Sequence, residues 1–221
     1  MGTALVVAMD GPAGAGKSST SRGVAVRLSL AYLDTGAMYR AMTWALLQAG
    51  VDVSDADAVA VAAEDVRLVS GTDPSAPAIE ANGIDVAGSI RSTEVTAAVS
   101  AVSAVPHVRE LLVALQRSII ASSNGIVVEG RDIGSTVVPD ARVKVYLMAD
   151  VEARAARRAA ELGGTDAAVS TTREDLARRD HKDSTRASSP LARAEGAVVV
   201  DTTFLTLEEV IDKVVDLVAA A

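Results

Sequence analysis

The chain has 221 residues, 49% of them hydrophobic and 23% charged, with a formal net charge of −8. That length supports one well-buried core with small appended lobes and excludes an engine of several partner domains. The acidic balance argues against a nucleic-acid partner, no apolar run reaches the roughly eighteen residues of a membrane span, and the lack of cysteine rules out disulfides, thiolate metal sites and a cysteine nucleophile. The first apolar run has no basic flank and is too short for a signal peptide, so a cytoplasmic protein with no membrane contact is expected.

In chain order, short apolar runs alternate with longer amphipathic stretches, the pattern of a parallel sheet covered by helices on both faces. Strands are predicted at 4–9, 31–34, 125–129, 143–148 and 197–201. Helices are predicted at 17–29, 36–49, 56–64, 92–104, 106–121, 151–162, 171–182 and 206–219, with Pro106 suited to a first helical turn. Residues 66–90 break this rhythm. There Ile79-Glu80-Ala81 and Ile84-Asp85-Val86 flank Asn82-Gly83, a strong hairpin signal, so a small antiparallel sheet inserted between helices is expected.

The first strand runs directly into Gly11-Pro12-Ala13-Gly14-Ala15-Gly16-Lys17-Ser18, a full G-x-x-x-x-G-K-[ST] loop. Glycines let backbone N–H groups surround phosphate oxygens, Lys17 adds a point charge, and Ser18 offers a hydroxyl to Mg²⁺. Neither asparagine, Asn82 or Asn124, precedes a lysine, which excludes the guanine reader of GTPase switches. Three further clusters stand out: Leu33-Asp34-Thr35-Gly36-Ala37-Met38-Tyr39-Arg40, Glu129-Gly130-Arg131-Asp132-Ile133-Gly134, and Arg178-Arg179-Asp180-His181-Lys182-Asp183-Ser184-Thr185-Arg186. The first two sit where a strand ends in an acid, the place where open α/β sheets bind ligands. Nine of the 21 lysines and arginines fall between Arg154 and Arg193. They form either a solvated helical face or a cover that brings guanidinium groups onto transferring phosphates.

With these motifs in this order, the chain resembles the bacterial cytidylate kinases from its first strand to its last helix. The resemblance implies a single domain with a five-stranded parallel P-loop kinase core, a nucleotide-binding lobe enlarged by the small antiparallel sheet, and a short lid. The core is expected at about 1–36, 106–153 and 187–221, the lobe at about 37–105 and the lid at about 154–186. It implies ATP binding by Gly11, Pro12, Ala13, Gly14, Ala15, Gly16, Lys17, Ser18 and Ser19. Arg40 and Arg131 match the arginines that hold the CMP phosphate, Ser100, Arg109 and Asp132 the readers of the cytosine edge, and Thr35 a hydroxyl contact. Arg179 and Asp183 match the pair that meets the ribose, and Arg186 an arginine near the nucleotide phosphate and base.

Arg157 best matches the lid arginine, although Arg154 and Arg158 lie on the same predicted helix. Glu129 stands where family members often carry Asp, so no substrate contact is assigned to it, and Asp150 is read as a helix cap. The implied reaction is phosphoryl transfer from ATP to CMP or dCMP, with Lys17, Arg131, Arg157 and Arg186 as the catalytic cations. Mg²⁺ is the expected cofactor, with Ser18 as its direct protein ligand and Asp34 as the candidate to hold a metal-bound water. A monomer is expected. The alternatives are another small-molecule P-loop kinase, for adenylate or shikimate, and a nucleotide-sensing module without turnover.

Overall fold

The computed structural model describes residues 4–161, 166–185 and 191–221. Strand β1 (Val6–Asp10) leads through the glycine loop into helix α1 (Lys17–Leu28), followed by β2 (Ala31–Asp34), α2 (Thr35–Gln48) and α3 (Ala56–Ala63). Strands β3 (Leu68–Ser70), β4 (Ile79–Ala81) and β5 (Ile84–Asp85) come next, then a 3₁₀ turn at Ser89–Arg91, α4 (Thr93–Val102) and α5 (Pro106–Ala121). The chain continues through β6 (Ile126–Glu129), a π-helix at Ile133–Val137, β7 (Val143–Met148), α6 (Val151–Glu161), α7 (Asp166–Thr185), β8 (Val198–Asp201) and α8 (Leu207–Ala219).

The main sheet has five strands in the order β2-β6-β1-β7-β8, and its pairings are all parallel. Parallel strands covered on both faces read as continuous apolar runs, and β6 is buried at every residue. The pleat divides these runs between two faces. Ala8, Leu33 and Val128 join Met38 and Ala41 of α2 on one side, while Val7, Met9 and Tyr32 join Val24 of α1 and Ile211 of α8 on the other. Burying a side chain such as Leu33 contributes about 1.5–3 kcal/mol. A third cluster, with Met42, Leu46, Val59, Val102 and Leu112, fastens α2, α3, α4 and α5 to one another. The antiparallel sheet β3-β4-β5 lies in the insertion expected for it, with the Asn82-Gly83 turn joining β4 to β5.

Register brings the acid-bearing strand ends together. Asp34 stands opposite Glu129 and Met9 opposite Glu129, so β1, β2 and β6 end side by side in Asp10, Asp34 and Glu129. Pairing begins where β6 offers Ile126 opposite Val6, which moves β1 two residues past the expected start at 4 and one past the expected end at 9.

Two further expectations are corrected. Helix α7 runs over Asp166–Thr185, past the expected 171–182 at both ends, because docking against α6 sustains it beyond what local pattern supports. The π-helix after β6 was not foreseen. Asp10 accepts the amides of Ile133 and Gly134, and Thr136 and Val137 both donate to the Asp132 carbonyl, which winds the turn wide. Among the described residues no single helix is long and apolar enough to cross a membrane.

Gly11 has φ +149°, and a Cβ there would lie 2.1 Å from the carbonyl oxygen of Leu147 in β7. Sheet backbone cannot yield that far. Gly11→Ala is expected to lower unfolding stability by about 2–4 kcal/mol through overpacking and backbone strain, measured by urea denaturation against the parent chain.

Candidate active site

Gly16 precedes helix α1 as its N-cap, with φ 83° and no side chain to cap it, and the first turn of the helix carries no acidic residue. Its first amides are therefore left for an anion, and the helix dipole favours one there. Four of the other helices are capped by their own chain: Asp34 accepts the amide of Ala37, Asp55 those of Asp57 and Ala58, Ser92 that of Val95, and Thr206 with Glu209 forms a capping box on α8. Asp34 thus has a structural duty in addition to the metal-water role expected of it.

The phosphate loop borders a cavity of about 360 Å³. Gly14, Gly16, Lys17, Ser18 and Ser19 line it together with Thr35, Arg40, Ser100, Arg109, Arg131, Asp132 and Asp183. The structure therefore gathers residues from five separate segments that sequence reasoning assigned to one site.

Lys17 is buried and donates from Nζ to the Pro12 carbonyl at 2.7 Å. Burial, with the Arg131 guanidinium nearby, pulls its pKa down, and Glu129, Asp10 and Asp180 pull it back up. Ser18 Oγ donates to Glu129 at 3.0 Å, and the Tyr32 hydroxyl donates to the other Glu129 oxygen. Burial and the Asp34 charge raise the Glu129 pKa, while Lys17 and the two hydroxyl bonds oppose them.

Asp132 forms a buried ion pair with Arg109, whose guanidinium also stands 5.4 Å from the centre of the Tyr39 ring. Arg109 is 3% exposed, and its Nε has no hydrogen-bond acceptor among the described residues. Arg131 donates from Nε to Asp183 at 3.1 Å, and Arg40 holds the Ile90 carbonyl and the Thr96 hydroxyl, each at 3.0 Å. Thr35 is the exception in direction. Its hydroxyl donates to the Glu129 carbonyl at 2.7 Å, so its proton serves the loop and only its lone pairs remain for other contacts.

Among the lid arginines, Arg157 donates to the hydroxyl and the carbonyl of Thr202, at the end of β8, and Thr202 in turn donates to the Ala15 carbonyl at 3.3 Å. It therefore supports the phosphate loop. Arg154 is buried under the loop and donates to Ala13 and Ala149 carbonyls. Arg186 lies outside the described residues, as do the side chains of Arg158 and Arg179. The amide of Arg154 donates to the Asp150 carbonyl at 3.0 Å, the bond that an N-cap residue accepts.

Sequence reasoning passed over Asp10 and Tyr32, and named Arg154 and Asp180 without giving either a contact. Asp10 carried one signal, a buried acid at the end of an otherwise apolar strand, and the rest depend on contacts remote in sequence. The family model for cytidylate kinase matches residues 7–220. A cytidylate kinase from Streptomyces avermitilis is 58% identical over 97% of this chain and 93% of its own length, and one from Nocardia farcinica is 56% identical over 98% and 94%.

The chain belongs to the cytidylate kinase family.

It is accordingly an ATP-dependent nucleoside monophosphate kinase, which decides against the shikimate kinase and non-enzymatic alternatives. A solved structure of an uncharacterized protein from Eubacterium ventriosum has a TM-score of 0.50 at 8% identity, covering 98% of this chain and 99% of that one, a likeness of fold alone.

The Asp10 carboxyl is pushed up from 3.8 to about 6, chiefly by burial, against the pull of its two amide bonds. Between those values the native state binds this proton more tightly than the unfolded chain, so stability from this group falls as pH rises through that window. Relative to Asp10→Asn, the parent chain is expected to lose about 3 kcal/mol at most between pH 4 and pH 6.5, read from urea midpoints across the series.

Proposed function

We propose that the chain transfers the γ-phosphoryl group of ATP to the phosphate of CMP or dCMP within this one cavity. The observation that carries the assignment of roles is the pairing of a phosphate loop with Arg40, Arg131 and the buried Arg109–Asp132 pair on the same cavity wall. Residues 37–105 then serve as the acceptor lobe and 154–186 as the lid.

Two polyanions must meet in line, and the transition state is loose, so the protein's contribution is position and positive charge. The loop from Gly11 to Ser19 holds the ATP phosphates, and Lys17 leaves the Pro12 carbonyl for them; their charge favours its ammonium form against the pull of burial. Arg131 and Arg40 grip the CMP phosphate with planar forks that suit two oxygens at once. Asp132 accepts from the cytosine 4-amino group, and the buried Nε–H of Arg109 is a donor for a pyrimidine acceptor. Ser100 adds a hydroxyl near the base, Thr35 offers its lone pairs, and Asp183 with Arg179 meets the ribose. Arg157 and Arg186 act as lid cations, Arg157 through the loop it supports.

The donor set fits Mg²⁺ held mainly by phosphates and water. Ser18 and Glu129 supply hard oxygens 3.0 Å apart, and no group of three or more acidic, histidine or cysteine ligands occurs among the described residues. When bound there by Ser18, with Asp34 or Glu129 toward its waters, the ion neutralises phosphate charge. No base is needed, because the CMP phosphate is ionised at neutral pH. The net charge of −8 disfavours nucleic acid and anionic membrane as partners. We place the reaction in the cytoplasm, where ATP is the donor at hand.

A coupled assay with CMP, dCMP, UMP and AMP tests the reading: CMP or dCMP should give the highest kcat/KM, and a preference for AMP would overturn it. Lys17→Ala should remove turnover from a folded protein.

Arg131→Met is expected to lower kcat/KM for CMP by about 100- to 10,000-fold, the cost of two charge-assisted hydrogen bonds, while ATP affinity stays nearly unchanged. Equal losses for both ligands would contradict the acceptor assignment. Asp132→Asn keeps an acceptor for Arg109 but presents an amide to the base, so the CMP-to-UMP ratio of kcat/KM should fall by about tenfold.

A further inference from the structure

Leu176, Asp180 and Asp183 are spaced by four and three residues, which puts them on one face of α7. That face reaches both halves of the cavity. Leu176 is buried with Ala13 of the phosphate loop and Ala155 of α6. Asp180 accepts the Ala13 amide through Oδ1 at 3.2 Å and pairs through Oδ2 with Arg154. Arg154, itself buried, donates to the Ala13 carbonyl at 3.0 Å. Both polar groups of the Ala13 peptide units are therefore held by α6 and α7. A Cβ on Gly14 would stand 3.1 Å from that of Arg154, so the loop and α6 are already in contact. One turn beyond Asp180, Asp183 takes Nε of Arg131 at 3.1 Å.

We propose that Asp180 is a positioning residue that couples the two substrate sites, tying the phosphate loop to the helix whose Asp183 holds the acceptor-gripping Arg131. This deepens the cytidylate kinase reading of the cavity and rests on it. A buried amide and a buried guanidinium that share one carboxylate fix the loop only while α7 is docked. A ligand that fixes the loop against Asp180 also fixes Asp183 on the same helix face, and with it Arg131, so each ligand tightens the other. A mere staple between α6 and α7 would affect stability and leave that mutual tightening untouched.

The test is calorimetric titration of the full chain with CMP and with a non-hydrolysable ATP analogue in Mg²⁺ buffer, each alone and each with the other saturating. In the parent chain each ligand should lower the Kd of the other by about fivefold or more. Asp180→Ala should bring that factor to within about twofold of unity. Asp180→Asn, which keeps an acceptor for Ala13 and loses the charge facing Arg154, should fall between them. Adding Arg154→Met to Asp180→Ala should remove no further coupling. A folded Asp180→Ala chain that keeps the parental factor overturns the proposal, as does a parent chain whose ligands bind independently. If Asp180→Ala does not fold, Asp180→Asn decides: an unchanged factor overturns the proposal and a reduced one supports it. A parent chain that binds the analogue but neither binds nor phosphorylates CMP overturns the functional reading instead, a result distinct from independent binding.

Discussion

The site is laid out from one buried carboxylate. Asp10 ends the central strand, immediately precedes the phosphate loop, and accepts the amides of Ile133 and Gly134, each at 2.8 Å. Burying that charge is costly, as its raised pKa records, and two backbone bonds with the neighbouring Lys17 offset the cost while Asp132 adds to it. The return is geometric. Because Ile133 follows Asp132 directly, the same bonds that shape the π-helix set the distance between the ATP loop and the base-reading acid.

Carboxylate, carbonyl and hydroxyl acceptors do for the arginines what Asp10 does for the backbone. Arg109 is held by Asp132, Arg131 by Asp183, Arg40 by Ile90 and Thr96, and Arg157 by Thr202. Buried ion pairs add little net stability, since desolvation consumes most of the attraction. What they do supply is orientation. A long side chain already fixed loses less rotamer freedom when a phosphate arrives, so more of the interaction remains for binding.

What the sequence made legible follows from the range of the interactions concerned. The phosphate loop, the Asn82-Gly83 hairpin and the Pro106 start of α5 are local rules of backbone geometry, and they lie where those rules put them. Arg131 and Asp132 were legible because two glycines and a strand end frame them. The Tyr32–Glu129 and Ser18–Glu129 bonds join residues 97 and 111 positions apart, and the Ala13–Asp180 bond spans 167, so no local pattern announces them. Arg157 shows the limit of matching by motif. The match put it at a lid position, but only the fold reveals its bonds to Thr202, which in turn holds the Ala15 carbonyl of the phosphate loop.

The adjacent strands β2, β6 and β1 each end in an acid, yet the three acids do different work, and side-chain reach decides which. Asp34 is short enough to turn back on its own helix and cap it. Asp10 spans to the amides of the neighbouring crossover. Glu129 bridges outward, one oxygen to Tyr32 on the adjacent strand and the other to Ser18 at the start of α1. An aspartate there would stop about 1.5 Å sooner, one carbon–carbon bond, and could not keep both hydroxyls at hydrogen-bond distance without moving the strand. Tyr32 and Glu129 are thus matched to each other: the longer acid needs a donor for its inner oxygen, and the buried phenol needs an acceptor. Their pairing leaves the outer oxygen trained on the serine at the head of the phosphate-binding helix.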